Sequence, residues 1–469
     1  MWTYVDPNGA QASDRLLTVR FPEVRLGEAA GAGVVIRLHN QLTTAPRDFG
    51  FPTLTMHFHG GHQPSAADGF PHDIVNRPAD FPAAVTIPPG GSYDYIYPFR
   101  DVGFLDGPET KEERASFYWF HDHILDFTGP NVYRGLASIA PVFDEIDTND
   151  EEDDTPGALR LPSGACDLSL VLQDKVFDIS GALIFDPFNQ DGFLGDTMLV
   201  NGVVQPFHRI NRRKYRLRFL NASTARIYQL VLTNAAGQKF PMTQIATEGG
   251  LLVHPIPNVS TFTVAMAERV EIVVDFGADI FNGQQEIYLE NRMAQTDGRK
   301  PDGVVSSGPR LMKFILGDKV TDHSQVPDSL RPCAPIAQAE LTAAEHRTFD
   351  LDRSDGVFTV NGKPIDIEKP TDLVPRGRPQ IWHFRNNSGG WWHPVHVHSE
   401  FMRVLSRNGR RPAKNEADGM ARKDTILLRG GDRVDVFIKF RDYLGPFVSH
   451  CHNLQHEDMA MMARYDVVK

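Results

Sequence analysis

The stretch "YRLRFLNAS", residues 215–223, alternates its side chains and then stops at Asn, the pattern of a half-buried β-strand running into a turn. Two other stretches have the same form, "VVIRLHNQL" at 34–42 and "QIWHFRNNS" at 380–388. The copies at 215 and 380 also follow a shared lead, "LVNGVVQPF" at 199–207 and "TVNGKPIDI" at 359–367, in which Asn-Gly marks a hairpin turn. A second shared element, a turn and then an alternating strand, follows each of the three: "IPPGGSYDYIYPF" (87–99), "AMAERVEIVVDF" (265–276) and "LRGGDRVDVFIKF" (428–440). Three copies of one β-rich unit account for the pattern.

Composition changes mark the boundaries. The acidic run "DEIDTNDEEDD" (144–154), continuing to about Gly164, reads as a solvated linker, and "GDKVTDHSQVPDSLRPCAP" (317–335) as a second, polar and broken by proline. Units are therefore expected at 1–145, 165–318 and 345–469, each of a size that suits an antiparallel β-sandwich. Helical periodicity is scarce outside short pieces such as "LTAAEHRTF", so the fold class is all-β.

A chain of 469 residues with 41% hydrophobic and 10% aromatic content can bury several cores and has the composition of a globular protein. Its net charge of -12, from 48 basic and 60 acidic residues, disfavours nucleic acid as a partner. No run approaches the roughly 18 apolar residues of a membrane span, and "MWTYVDPNGAQASDR" has neither the basic nor the apolar region of a secretory leader. Three cysteines are too few for a disulfide framework. Cys166 and Cys333 are open between a pair and two separate thiols.

Cys451 lies among metal-ligand types. Ten of the 18 histidines fall into four clusters: His57 and His59; His121 and His123; His393, His396 and His398; His450, His452 and His456. Two clusters belong to the first repeat and two to the third, while the middle repeat has "IATEGG" and "IYLENR" at the corresponding places. The first and third units are thus expected to meet around metal, with the second as a spacer. On a strand, successive side chains point to opposite faces, so His450 and His452 face one way and Cys451 the other. His396 and His398 likewise share a face that His393 does not, which lets His393 join Cys451. Two imidazoles, a thiolate and a weak axial methionine suit copper, and His393, Cys451, His456 and one of Met459, Met461 or Met462 supply that set. Zinc would need one tetrahedral site and leave most of the histidines unexplained.

In order and spacing the four clusters resemble the copper motifs of the three-domain multicopper oxidases. The flanking "HDHILDFTGPNVYRGL" and "HCHNLQHEDMAMM" look most like the bacterial laccases of the spore-coat type and the bilirubin oxidases. The resemblance implies three consecutive cupredoxin-like Greek-key β-sandwiches and four copper ions. A type 1 copper would take His393, Cys451 and His456 with Met461 axial, and a type 2 copper His57 and His396. A type 3 pair would take His59, His121, His123, His398, His450 and His452. It also implies Asp68 and Glu457 as proton donors for reduction of O2 to water.

The implied activity is one-electron oxidation of a small aromatic donor: a phenol, an aromatic amine or a bilirubin-like pigment. Oxidation of cuprous ion is the alternative, and methionine-rich inserts that would favour it are lacking outside the C-terminal motif. A monomer is expected, acting in the periplasm, outside the cell or in a spore coat. The donor is expected to meet an exposed edge of His456. His62 and His72 read as solvated loop residues, His39 and His383 as sheet residues, and Trp391 and Trp392 as packing beside the type 1 site.

Overall fold

The computed structural model describes residues 24–25, 33–43, 49–105 and 109–469. The opening residues read above for a leader, and the start of the first unit, lie outside them.

The shared elements pair with one another in all three repeats. In the first, Val34–His39 runs antiparallel to Ser92–Tyr97. In the second, Lys214–Asn221 is antiparallel to Arg269–Asp275 on one side and parallel to Asp167–Phe177 on the other. In the third, Pro379–Asn386 is antiparallel to Arg433–Lys439 and parallel to Glu345–Ser354. Asn201–Gly202 turns a hairpin with both φ angles positive, 52° and 74°, and Asn361–Gly362 repeats it at 54° and 74°. Those are the angles a type I′ turn needs, which Asn and Gly adopt at the least steric cost.

Each repeat buries its own core. The middle one packs an eight-stranded against a six-stranded sheet, with Leu217, Phe219, Ile272 and Leu289 fully buried between them. The third packs two five-stranded sheets around Trp382, Val434, Ile438 and Phe447. The first buries Met56, Phe58, Tyr95 and Tyr97 between a four-stranded sheet and the Val34–His39/Ser92–Tyr97 pair. A further cluster draws on all three repeats: Phe117 and Trp119 from the first, Val171 and Leu220 from the second, Leu454 from the third. Buried apolar surface of this kind resists relative motion.

The acidic run is solvated only in part: Glu145, Asp150, Glu152 and Asp154 are exposed, and the acids between them are docked. Asp147 forms a two-pronged pair with the buried Arg216 at 2.8 and 2.9 Å, Asp144 pairs with the buried Arg331 at 2.8 Å, and Glu151 pairs with Arg213. Arg331 and His323, which meets Glu152, come from the second connector, so the two segments lie side by side; its Asp322 pairs with Arg213 and Lys214 of the middle repeat. A charge run reads as solvated only when its partners are unknown.

Candidate metal centres

Cross-strand register builds both centres. In the first repeat His57 lies opposite His121 on strands Met56–His59 and Phe117–Asp122. In the third, His396 lies opposite His450 and Val395 opposite Cys451 on strands His393–Val397 and Gly445–Cys451. All ten histidines and Cys451 are buried, none more than 1% exposed.

The thiolate centre sits inside the third repeat. His393 Nδ1 lies 3.3 Å from Cys451 Sγ and 3.1 Å from His456 Nδ1, and Sγ lies 3.5 Å from that same His456 nitrogen. The other nitrogen of His393 is held by Ser388 Oγ at 2.7 Å, so Nδ1 is the atom left for an ion. The amide of Asn453 donates to Sγ at 3.4 Å, which favours thiolate. Of the three methionines, Met461 is fully buried in the core that holds Cys451 and accepts the Cys451 amide on its carbonyl at 3.1 Å. Met462 belongs to a different cluster with Phe70 and Val448, and Met459 is half-buried. Ala460, at φ 71°, makes the turn between them.

The other eight of the ten histidines converge on the seam between the first and third repeats. His57 Nε2 faces His396 Nε2 at 3.3 Å; His450 Nε2 faces His123 Nε2 at 3.1 Å and His398 Nε2 at 3.3 Å; His59 Nδ1 faces His121 Nε2 at 3.4 Å. Most of these rings have committed their other nitrogen as a donor. His57 and His396 donate Nδ1–H to the carbonyls of Asp68 (2.5 Å) and Asp424 (2.8 Å), His121 to that of Asp122 (2.7 Å), His450 to that of Cys451 (3.2 Å), and His398 to the carboxylate of Asp68 (2.6 Å). Lone pair therefore points at lone pair, an arrangement that a cation between them reconciles. His452 stands 5.2 Å, ring to ring, from both His59 and His121, and neither of its nitrogens has a protein partner. The residues fit bound metal.

Electrostatics agree. Burial, with the neighbouring imidazoles, holds His57, His59, His398, His450 and His452 well below the usual histidine range, and burial alone takes His393 to about 3. Neutral imidazole is the ligating form. Burial also pushes the Cys451 thiol up, a shift that an adjacent cation would reverse.

Two acids flank the seam. Asp68 is completely buried, and burial raises its carboxyl to about 8 against the opposing hydrogen bond from Gln63 at 2.7 Å. Gly69, at φ 77°, lets it approach: a Cβ there would run into the backbone of Met56 and His57. Glu457 accepts from Thr128 Oγ1 at 3.1 Å and faces His123 Nδ1 at 3.4 Å; burial and then the adjacent Asp458 carboxyl raise it well above the usual range. Asp122 is held near 8, chiefly by burial.

A family model described as multicopper oxidase matches residues 334–469. The bilirubin oxidase of Albifimbria verrucaria is 32% identical over 423 residues, covering 88% of this chain and 67% of that one. The laccase of Bacillus stratosphericus is 30% identical over 457 residues, covering 88% and 80%. The chain belongs to the multicopper oxidase family. The crystal structure of the McoA multicopper oxidase from Aquifex aeolicus superposes with a TM-score of 0.76 at 28% identity, covering 96% of this chain and 89% of that one. As a multicopper oxidase, the chain is a copper-dependent oxidoreductase that uses O2, folded as three cupredoxin-like sandwiches.

The structure departs from expectation at His456 and His62 and agrees with it at Trp391, His72, His39 and His383. His456 has no exposed edge: it is fully buried beneath the backbone of Gln190 and Asp191, with the Phe358 ring tilted against it, centroids 3.9 Å apart. Trp391 packs on the third core and donates its indole N–H to Asp191 at 3.0 Å, with Arg353 over its ring at 4.8 Å. His62 is not solvated. It bridges to Asp442 at 2.8 Å and the Ser399 carbonyl at 3.2 Å, joining the first and third repeats. His72 is exposed, and His39 and His383 lie on strands. Cys166 and Cys333 are free thiols. Asp424 and Arg269, which touch the cluster, had no motif to announce them.

Proposed function

We propose that this multicopper oxidase is of the laccase type, taking single electrons from phenolic, aromatic amine or bilirubin-like donors and reducing O2 to water. His393, Cys451 and His456, with Met461 from the same core, would hold a type 1 copper. His57 and His396 would hold a type 2 copper, and His59, His121 and His452, with His123, His398 and His450, a type 3 pair: four ions in all, the cluster between units 1–145 and 345–469. Copper bound there supplies one-electron storage and the reduction of O2. The observation that carries the reading is the strand Gly445–Cys451: Cys451 faces the thiolate centre while His450 on one side and His452 on the other face the seam.

The protein's own part is to orient and to handle protons. Seven backbone and side-chain acceptors fix the imidazole tautomers before an ion arrives, which lowers the reorganisation needed on binding. Asp68, whose carboxyl burial raises and which holds His398, and Glu457, which faces His123, are the proton donors for water formation. Trp391 and Phe358 form the apolar wall through which a donor's electron reaches His456. Action outside the cytoplasm, as a monomer, belongs to the same proposal; among the described residues no helix is long and apolar enough to cross a membrane.

Copper-loaded protein given a phenol, bilirubin or Cu(I) in parallel tests the donor class. O2 uptake with the organic donors is expected to exceed that with Cu(I) at equal concentration. Faster uptake with Cu(I) would shift the reading to a cuprous-ion oxidase.

A further inference from the structure

The middle repeat carries none of the histidine clusters, yet it sends one side chain to them. Arg269, at the head of strand Arg269–Asp275, is 0% exposed. Its Nη1 and Nη2 donate to the two carboxylate oxygens of Asp424, in the third repeat, at 2.8 and 2.6 Å. Its Nε donates to the carbonyl of Phe117 at 3.0 Å, the first residue of the strand that carries His121 in the first repeat. The two remaining N–H groups meet the carbonyls of Ala267 at 3.1 Å and Glu248 at 3.4 Å. All five donors of the guanidinium are used, across all three repeats.

Asp424 spends what Arg269 fixes. Its Oδ1 accepts Nε2–H of His59 at 3.1 Å, and its main-chain carbonyl accepts Nδ1–H of His396 at 2.8 Å. His59 thus differs from its neighbours: Nε2 is the committed nitrogen, and Nδ1 is the one turned towards His121 Nε2. Asp424 Oδ1 also lies within ligand range of the two imidazoles. With both oxygens held by one guanidinium, and Oδ1 also taking the Thr425 hydroxyl at 2.9 Å, it is an orienting acceptor and not a ligand.

We infer that Arg269 is a positioning residue for the copper cluster: by clamping Asp424 across the junction of the three repeats, it sets which nitrogens of His59 and His396 are offered to copper and where they stand. Two further observations point the same way. Gly60, directly after His59, leaves room for the pair, since a Cβ there would sit 2.6 Å from both Arg269 Nη2 and Asp424 Oδ2. And the repeat alignment "ERVEIVV" with "DRVDVFI" sets Arg269 against Arg433, which is exposed, so burial of this arginine is particular to the middle unit, not a property of the repeated strand. The middle repeat is therefore more than a spacer.

The inference rests on the reading of the histidines as a copper cluster, and the test separates the two. Holo-protein is dialysed against a graded chelator, and remaining copper per chain, the type 2 electron paramagnetic resonance signal and the blue type 1 absorption are followed together. Arg269→Met is expected to lose cluster copper at about 10–100-fold lower chelator strength than wild type while keeping its blue absorption. Arg269→Lys, which offers a point charge without the fork, should recover part of the difference. Arg331→Met breaks another buried arginine pair, that with Asp144, and should leave cluster copper unchanged. If Arg269→Met fails to fold, Asp424→Asn gives the same reading, because it keeps an acceptor for His59 and loses the two-oxygen ion pair. Cluster copper held within about threefold of wild type in the Arg269 or Asp424 variant, or lost equally in Arg331→Met, would overturn the role of Arg269. Wild-type protein that holds no cluster copper would overturn the copper reading beneath it as well.

Discussion

The thiolate centre and the histidine cluster at the seam share one strand but are assembled differently. The first takes His393, Cys451, His456 and Met461 from a single repeat, within 69 residues of chain, and its imidazoles are lowered mainly by burial. The second takes rings from two repeats, is oriented by a third, and its imidazoles are lowered by one another as well as by burial. A centre of the first kind is a property of one sandwich core. One of the second kind is a property of how three sandwiches dock, and without cations it sets lone pair against lone pair at 3.1 to 3.4 Å. Lesions in the first should be private to it. Lesions at the seam should spread.

Cys451→Ser gives the largest expected break in that comparison. It removes the thiolate, and nothing of the backbone, from the residue that joins His450 to His452 at a fully buried position. Blue absorption and donor-driven O2 uptake should fall to background, while copper count and type 2 signal show the seam still loaded. Loss of copper from both centres would mean that they are not separable in the way the geometry describes.

The smallest expected effect lies at His62, which ties the first repeat to the third without touching copper. Burial opposes its charging, but the Glu400 carboxylate at 3.7 Å and Asp442 at 2.8 Å outweigh it, and its pKa ends above the ordinary value; Arg441 opposes them. A histidine with a raised folded pKa contributes stability that is full below its unfolded value of about 6.5 and is lost as pH rises through the folded value. His62→Gln should therefore cost about 1–3 kcal/mol at pH 6 and less at pH 9, with copper count unchanged. Thermal unfolding at the two pH values checks it, and an equal loss at both would remove the charge from the explanation.

The difference between the centres also explains what could be read in advance. The strand pairs at 34–39, 214–221 and 379–386, and the parity that parts Cys451 from His450, follow from alternation within a few residues. That is local information. The corrections are all non-local: the acidic run docked on Arg216 and Arg331, the Gln190–Asp191 backbone over His456, His62 in an interface, and Arg269 reaching Asp424. Each depends on which surfaces of separate repeats meet, and a charged residue in an alternating strand carries no local mark of whether its outward face will be solvent or a neighbour. Arg269 has an acidic residue just before it and another two places after, but Arg433, with Asp432 and Asp435, has the same arrangement and is exposed, so that arrangement is no signal of burial.

The most direct test of two centres, one private and one shared, is to count copper per chain on fully loaded wild-type protein while recording its visible and electron paramagnetic resonance spectra. The account predicts four ions: one giving intense blue absorption, one a type 2 signal, and two coupled and silent. Full loading with no blue absorption, or saturation at a single ion, would contradict it.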